Sequence, residues 1–80
     1  MKIGEWLGEL VESSESTEED GVMMQRFLRA IGFSKAIVTY GVVYPDGHGR
    51  PVRIQSMANL ILEGQDKRVP KWNVLSEEVR

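Results

Sequence analysis

Residues 35–55, KAIVTYGVVYPDGHGRPVRIQ, decide the fold class of this 80-residue chain. Lys35 to Tyr44 are rich in β-branched and aromatic side chains, with apolar residues at both parities. That pattern predicts a strand covered on both faces or central in a small sheet. Pro45, Asp46, Gly47 and Gly49 then set or permit turn dihedrals, and VRIQ at 52–55 alternates inward Val52 and Ile54 with outward Arg53 and Gln55. A β-hairpin over about 35–55 follows, with Gly41 marking a bulge or a close approach of backbone.

Two helices are expected upstream. Ile3, Trp6, Leu7, Leu10 and Val11 recur at the spacing that lines one face of an α-helix, and Glu5, Glu9 and Glu12 lie away from the centre of that stripe. This helix spans about 2–12 and stops at Ser13 and Ser14, whose hydroxyls compete for backbone hydrogen bonds. Ser16, with Glu19 three residues later, has capping-box spacing, and Glu18, Glu19 and Asp20 fall in the first turn, where the helix dipole favours negative charge. Met23, Met24, Phe27, Leu28 and Ile31 supply the apolar face of a second helix over roughly 17–31. Gly32 followed by Phe33 reads as a left-handed cap with its hydrophobic follower.

Beyond the hairpin two readings stand side by side. Ser56 caps a short helix, MANLILEG, that ends at Gly64, or the strand continues through Leu62 and turns at EGQDK into a third strand, VPKWNV. Trp72, Val74 and Leu75 dock on the core in either case. The expected architecture is α+β: two N-terminal helices packed on a small antiparallel sheet, then a short helix or third strand. Residues 1–80 form a single compact domain, since a chain this short buries only about 60 to 65% of its unfolded surface and cannot sustain two cores.

Composition removes several classes of function. With no cysteine there is no disulfide framework, no thiolate zinc site and no thiol nucleophile. The N-terminus lacks a signal-peptide apolar run, and no stretch approaches the roughly 20 apolar residues of a membrane helix. A cytoplasmic location without a membrane partner is expected. His48 is the only histidine and, with Asp46, offers two ligands where structural zinc takes four and catalytic zinc three. The serines at 13, 14, 16 and 56 suit turns and caps, and no G-x-S-x-G elbow is present. GHG at 47–49 is neither a P-loop nor a dinucleotide fingerprint, and paired glutamates need a pKa-raising cleft that so small a domain rarely encloses. The expectation is a non-enzymatic protein with no cofactor and no metal.

Charge is unevenly placed. The formal net charge is −2, yet residues 1–20 hold seven acids and one base, and residues 21–80 hold nine bases and five acids. Glu9, Glu12, Glu15, Glu18, Glu19 and Asp20 fall within ELVESSESTEED at 9–20. Read structurally, they serve helix ends and solubility. Read functionally, they make a cluster of carboxylates, spaced like backbone phosphates, for a protein partner with a basic surface, gaining on-rate by steering. Arg50 and Arg53 beside the second strand, and Lys67, Arg68 and Lys71 near Trp72, form an alternative site for nucleic acid, since bases next to an aromatic can grip phosphate and stack a nucleobase.

Residues 28–46, LRAIGFSKAIVTYGVVYPD, resemble the opening of the autoinducer-binding domain of LuxR-type regulators, in which a helix ends in a Gly-Phe pair and a first strand leads to an acidic turn. That resemblance implies a small-molecule sensor fragment with an apolar pocket between helices and sheet. The family's Tyr-Pro and Trp ligand-contact pattern is missing after Gln55, so no binding residue is carried over. In size and charge profile, with the six acids above prompting the comparison, the chain is also similar to the small phage-encoded inhibitors known as anti-CRISPR proteins. That likeness implies a non-enzymatic inhibitor, cytoplasmic in the host cell if phage-encoded, that binds a CRISPR effector complex and blocks its DNA path or assembly.

Overall fold

The structure, a computed structural model, describes residues 3–64. Its elements run α1 (Ile3–Glu12), α2 (Glu18–Ala30), β1 (Ile37–Thr39), β2 (Val42–Tyr44), β3 (Val52–Arg53) and α3 (Ile54–Glu63). The fold is α+β, with two N-terminal helices, a small open antiparallel sheet of order β1-β2-β3, and a short helix after it. The expected docking of Trp72, Val74 and Leu75 lies outside the described residues.

The apolar stripe of α1 is buried as its spacing requires, through Ile3, Trp6, Leu7 and Leu10, while Val11 at the margin is 37% exposed. α1 packs chiefly on α3, whose Ile54, Met57, Ala58 and Ile61 are buried in turn. Met24, Phe27, Leu28 and Ile31 from the second helical segment, with Phe33, Ala36 and Val43, complete one shared core. Truncating a side chain as enclosed as Leu7 or Phe27 to Ala costs about 2 to 5 kcal/mol.

Both ends of α2 have local causes. The N-cap is Thr17, not Ser16: Thr17 Oγ1 accepts from Asp20 N at 3.1 Å, and Asp20 Oδ2 accepts from Thr17 N at 2.9 Å. The capping box is therefore displaced by one residue from the Ser16–Glu19 pair, and a shorter carboxylate closes it. At the other end Phe33 N donates to Leu28 O (2.8 Å) and Gly32 N to Arg29 O (3.2 Å), with Gly32 at φ +106°. These are the paired bonds of a Schellman motif, as the Gly-Phe pair predicts.

The strand expected over 35–44 folds instead as two strands. Tyr40 (φ 53°) and Gly41 (φ 75°) both take left-handed dihedrals, the requirement of a two-residue type I′ hairpin turn. Ile37, Val38 and Thr39 pair with Tyr44, Val43 and Val42, so Val38 and Val43 share the inner face. Apolar residues occur at both parities because two short strands are joined there, not because both faces are covered: Ile37 on the outer face is 48% exposed. The PDGHGRP turn is present but leads to a two-residue β3, whose Val52 and Arg53 pair with Val43 and Val42.

After β3 the chain is helical, which selects the helix over continued strand for residues 54–63. α3 begins two residues before the expected Ser56 cap, with Arg53 in the N-cap position and no side-chain capping bond. Its first N–H, that of Ile54, donates to Gly41 O at 3.0 Å, so the hairpin turn satisfies one of the N–H groups that a helix start leaves without an intrahelical partner. The helix ends at Gly64 in the left-handed conformation (φ 67°), as its sequence predicts.

Candidate functional site

The acidic segment is a structured junction between two helices. Ser13 Oγ accepts from Glu15 N (3.2 Å) and donates to Glu15 O, closing a local turn directly after α1. Trp6 Nε1 donates to Asp20 Oδ1 at 3.1 Å, which ties the first turn of α2 to the body of α1. Glu9 and Glu12 on α1, Glu15 in the connection, and Glu18 and Glu19 in the first turn of α2 are all exposed. Among the described residues, their carboxylates take part in no ion pair.

Asp20 stands apart from these five. It is half-buried, and its two oxygens accept from Trp6 and from the Thr17 backbone. Partial desolvation pushes its carboxyl pKa up, but the Thr17 N–H, the Trp6 indole and the Thr17 side chain together outweigh that and hold it below the usual value. Its contacts give it a structural role that the other five acids do not share.

Beside the junction lies a groove of about 750 Å³ between α2 and the first hairpin. Gly21 faces β1, where a methyl placed on it would meet Val38 Cγ1 at 3.5 Å, an ordinary van der Waals contact. Gln25 fixes the separation, with Oε1 accepting from Val38 N at 2.8 Å and Nε2 donating to Ala36 O. These backbone groups lie on the free edge of β1, so a side-chain amide occupies the place a further strand would take.

Contacts fix the groove's direction. Gly41 adjoins the acidic junction, where a methyl on it would fall 2.9 Å from Ser16 Oγ, and Ala36 lies against Gln25 further along α2. β1 therefore runs antiparallel to α2. At one end stand Glu18 and Tyr40, whose side chain is 99% exposed; Val22, half exposed, and Val38 lie between; Arg26 and Arg29 stand at the other end. Neither arginine is in an ion pair among the described residues.

Sequence reasoning missed this groove and its residues. The available signal was Tyr-Gly between IVT and VVY: a two-residue separation ending in Gly between β-branched runs is a hairpin signature. Its consequence, an aromatic left at a turn tip, follows directly. That Tyr40 and Glu18 line one groove does not, because the two are 22 positions apart.

Arg50 and Arg53 are exposed on either side of β3's start, and Lys67, Arg68 and Lys71 lie outside the described residues. Among the described residues no group of three His, Cys, Asp or Glu could hold a metal ion, and no helix is long and apolar enough to cross a membrane. The LuxR-type resemblance asks for an apolar pocket between helices and sheet; the space between α2 and the sheet is a groove with charges at both ends. Comparison with protein-family models, curated proteins and solved structures finds no match for the chain.

Proposed function

We propose that this chain is a non-enzymatic interaction module that docks through Glu9, Glu12, Glu15, Glu18 and Glu19 on a basic surface of a partner, in the first instance the nucleic-acid-binding surface of a larger complex. The observation that carries the reading is that these five carboxylates are exposed and without ion pairs among the described residues, on a connection held by Ser13, by the Thr17–Asp20 box and by Trp6. Fixed charges lose less conformational freedom on docking than a flexible acidic tail would, so more of their attraction reaches the complex. An inhibitor that blocks a DNA path, of the kind the anti-CRISPR likeness implies, is one form such a module would take.

The test combines salt, charge reversal and competition. The partner captured by the wild-type chain is purified, and its affinity measured between 50 and about 300 mM salt, where counterion release makes phosphate-like contacts weaken steeply. The Glu12→Lys, Glu15→Lys, Glu19→Lys variant is expected to bind at least tenfold more weakly, and wild type to compete with duplex DNA for the partner. Unchanged affinity in the triple variant, or DNA and the chain bound together, removes the reading. Retention of labelled DNA by the chain itself in a gel shift would favour Arg50 and Arg53 as the functional residues instead.

A further inference from the structure

The groove beside the acidic junction has opposite charges at its two ends and an apolar floor, and that order specifies a ligand. At one end both the exposed Tyr40 and Glu18 line the groove, a combination that suits a Lys or Arg side chain through charge attraction and cation–π contact. At the other, Arg26 and Arg29 present guanidinium groups without ion pairs among the described residues, suited to a carboxylate by forked hydrogen bonding. Val22 and Val38 lie between, where an apolar side chain would be covered. At the start of α2 the Thr17–Asp20 box already takes the Asp20 N–H and places a carboxylate there, which disfavours an anion.

We infer that the groove is the seat of an extended peptide segment of the partner, oriented with a basic residue at Tyr40 and Glu18, an apolar residue over Val22 and Val38, and an acidic residue at Arg26 and Arg29. This rests on reading the chain as an interaction module, and adds to the acidic contact one that gives the partner a direction. Along α2, Glu18 and Arg29 are about 16 Å apart, which an extended chain crosses in about five residues. The occupant is recognised through its side chains rather than as an added strand, because Gln25 already holds Val38 N and Ala36 O at the edge of β1. Tyr40 supports the same conclusion from the backbone: a bulky residue at φ 53° is uncommon where Asn or Gly would be relaxed, and such a position is retained where the side chain has a use.

The experiment is an amide chemical-shift titration of the full chain with the octapeptide Gly-Arg-Thr-Leu-Thr-Glu-Thr-Gly, capped at both termini, whose Arg, Leu and Glu alternate with Thr so that all three face one side of an extended chain, Arg and Glu about 13 Å apart. Shifts concentrated at Gly21, Val22, Gln25, Val38, Thr39 and Tyr40 are expected. An isomer with Arg and Glu adjacent, and the variant Arg26→Glu, Arg29→Glu, are each expected to bind at least tenfold more weakly, with the variant's unperturbed spectrum reporting an intact fold. The proposal is overturned by shifts located elsewhere, by equal binding of the two isomers, or by no shifts up to millimolar peptide. It is also overturned if the groove amides shift with protein concentration alone, which would make the occupant a second copy, or if Val22→Glu moves chiefly the amides of residues 65–80, which would make it the chain's own C-terminal residues. Because no partner is needed, failure here leaves the charge-reversal result standing, and failure there leaves this one standing.

Discussion

Trp6 Nε1 donates to Asp20 Oδ1 across 3.1 Å, joining α1 to the third residue of α2. Trp6 is 2% exposed, so its one polar hydrogen needs a partner, and Asp20 also closes the α2 capping box. One carboxylate thus serves both the orientation of α1 and the start of α2.

Trp6→Phe removes the donor and some packing volume while keeping an aromatic ring. It is expected to lower unfolding free energy by about 1 to 3 kcal/mol, measured by urea denaturation. The Asp20 pKa should rise towards its ordinary value, followed by carboxyl-carbon shifts. An unchanged Asp20 titration would show that the indole bond does not stabilise the anion.

Asp20 gives stability a defined pH dependence. Its folded pKa lies below the ordinary value of 3.8, so its contribution is present above that value and is lost as pH falls through the folded pKa. Asp20→Asn, which cannot ionise, should narrow its stability deficit relative to wild type as pH drops from about 5 to 2, and show a deficit of about 0.5 to 2 kcal/mol at neutral pH from the lost cap bond. A deficit that stays constant over that range would refute the assignment.

Gly41 takes φ +75°, and a methyl there would also meet the Ser16 hydroxyl at 2.9 Å, a contact that rotation of the hydroxyl relieves. Gly41→Ala should therefore destabilise chiefly by the roughly 1 kcal/mol of a left-handed alanine, with a small addition from that contact. Adding Ser16→Gly should return part of that cost and leave the dihedral part. Equal stability of the single and double variants would show that the contact does not matter.

Tyr40→Asn separates stability from binding. Asparagine suits the left-handed turn position, so a gain of about 0.5 kcal/mol is expected in thermal denaturation, together with weaker binding of the octapeptide. A gain in stability with binding unchanged would leave Tyr40 without a role in the groove.

Gln25→Ala frees Ala36 O and Val38 N at the edge of β1. About 1 to 3 kcal/mol of stability should be lost, and the uncovered edge should promote self-association, visible in sedimentation velocity. A destabilised variant that stays monomeric at high concentration would limit Gln25 to holding β1 against α2.

The parts legible in the sequence are those governed by neighbours within one or two turns. The α1 stripe, the stop at Ser13, and the caps at Gly32 and Gly64 were readable because helix periodicity and left-handed caps depend on residues three to five apart. Ser16-Glu19 and Thr17-Asp20 both fit the capping-box spacing locally, and the second prevails because only Asp20 also has a long-range donor in Trp6. At Tyr40-Gly41 a central-strand pattern and a two-residue turn compete over the same ten residues, and the left-handed dihedrals show that the turn prevails.

By itself the sequence determined the α+β class, the two N-terminal helices and the crowding of acids around their junction, since composition and local spacing suffice for each. Tertiary structure decided which carboxylate became internal, where α3 begins and whether a groove exists. Each of these depends on groups distant in the chain: Trp6 meets Asp20, Gly41 O meets Ile54 N, and Gln25 meets the edge of β1. A hydrogen bond between such groups leaves no period in the sequence, because its partners are brought together only when the core between them is packed.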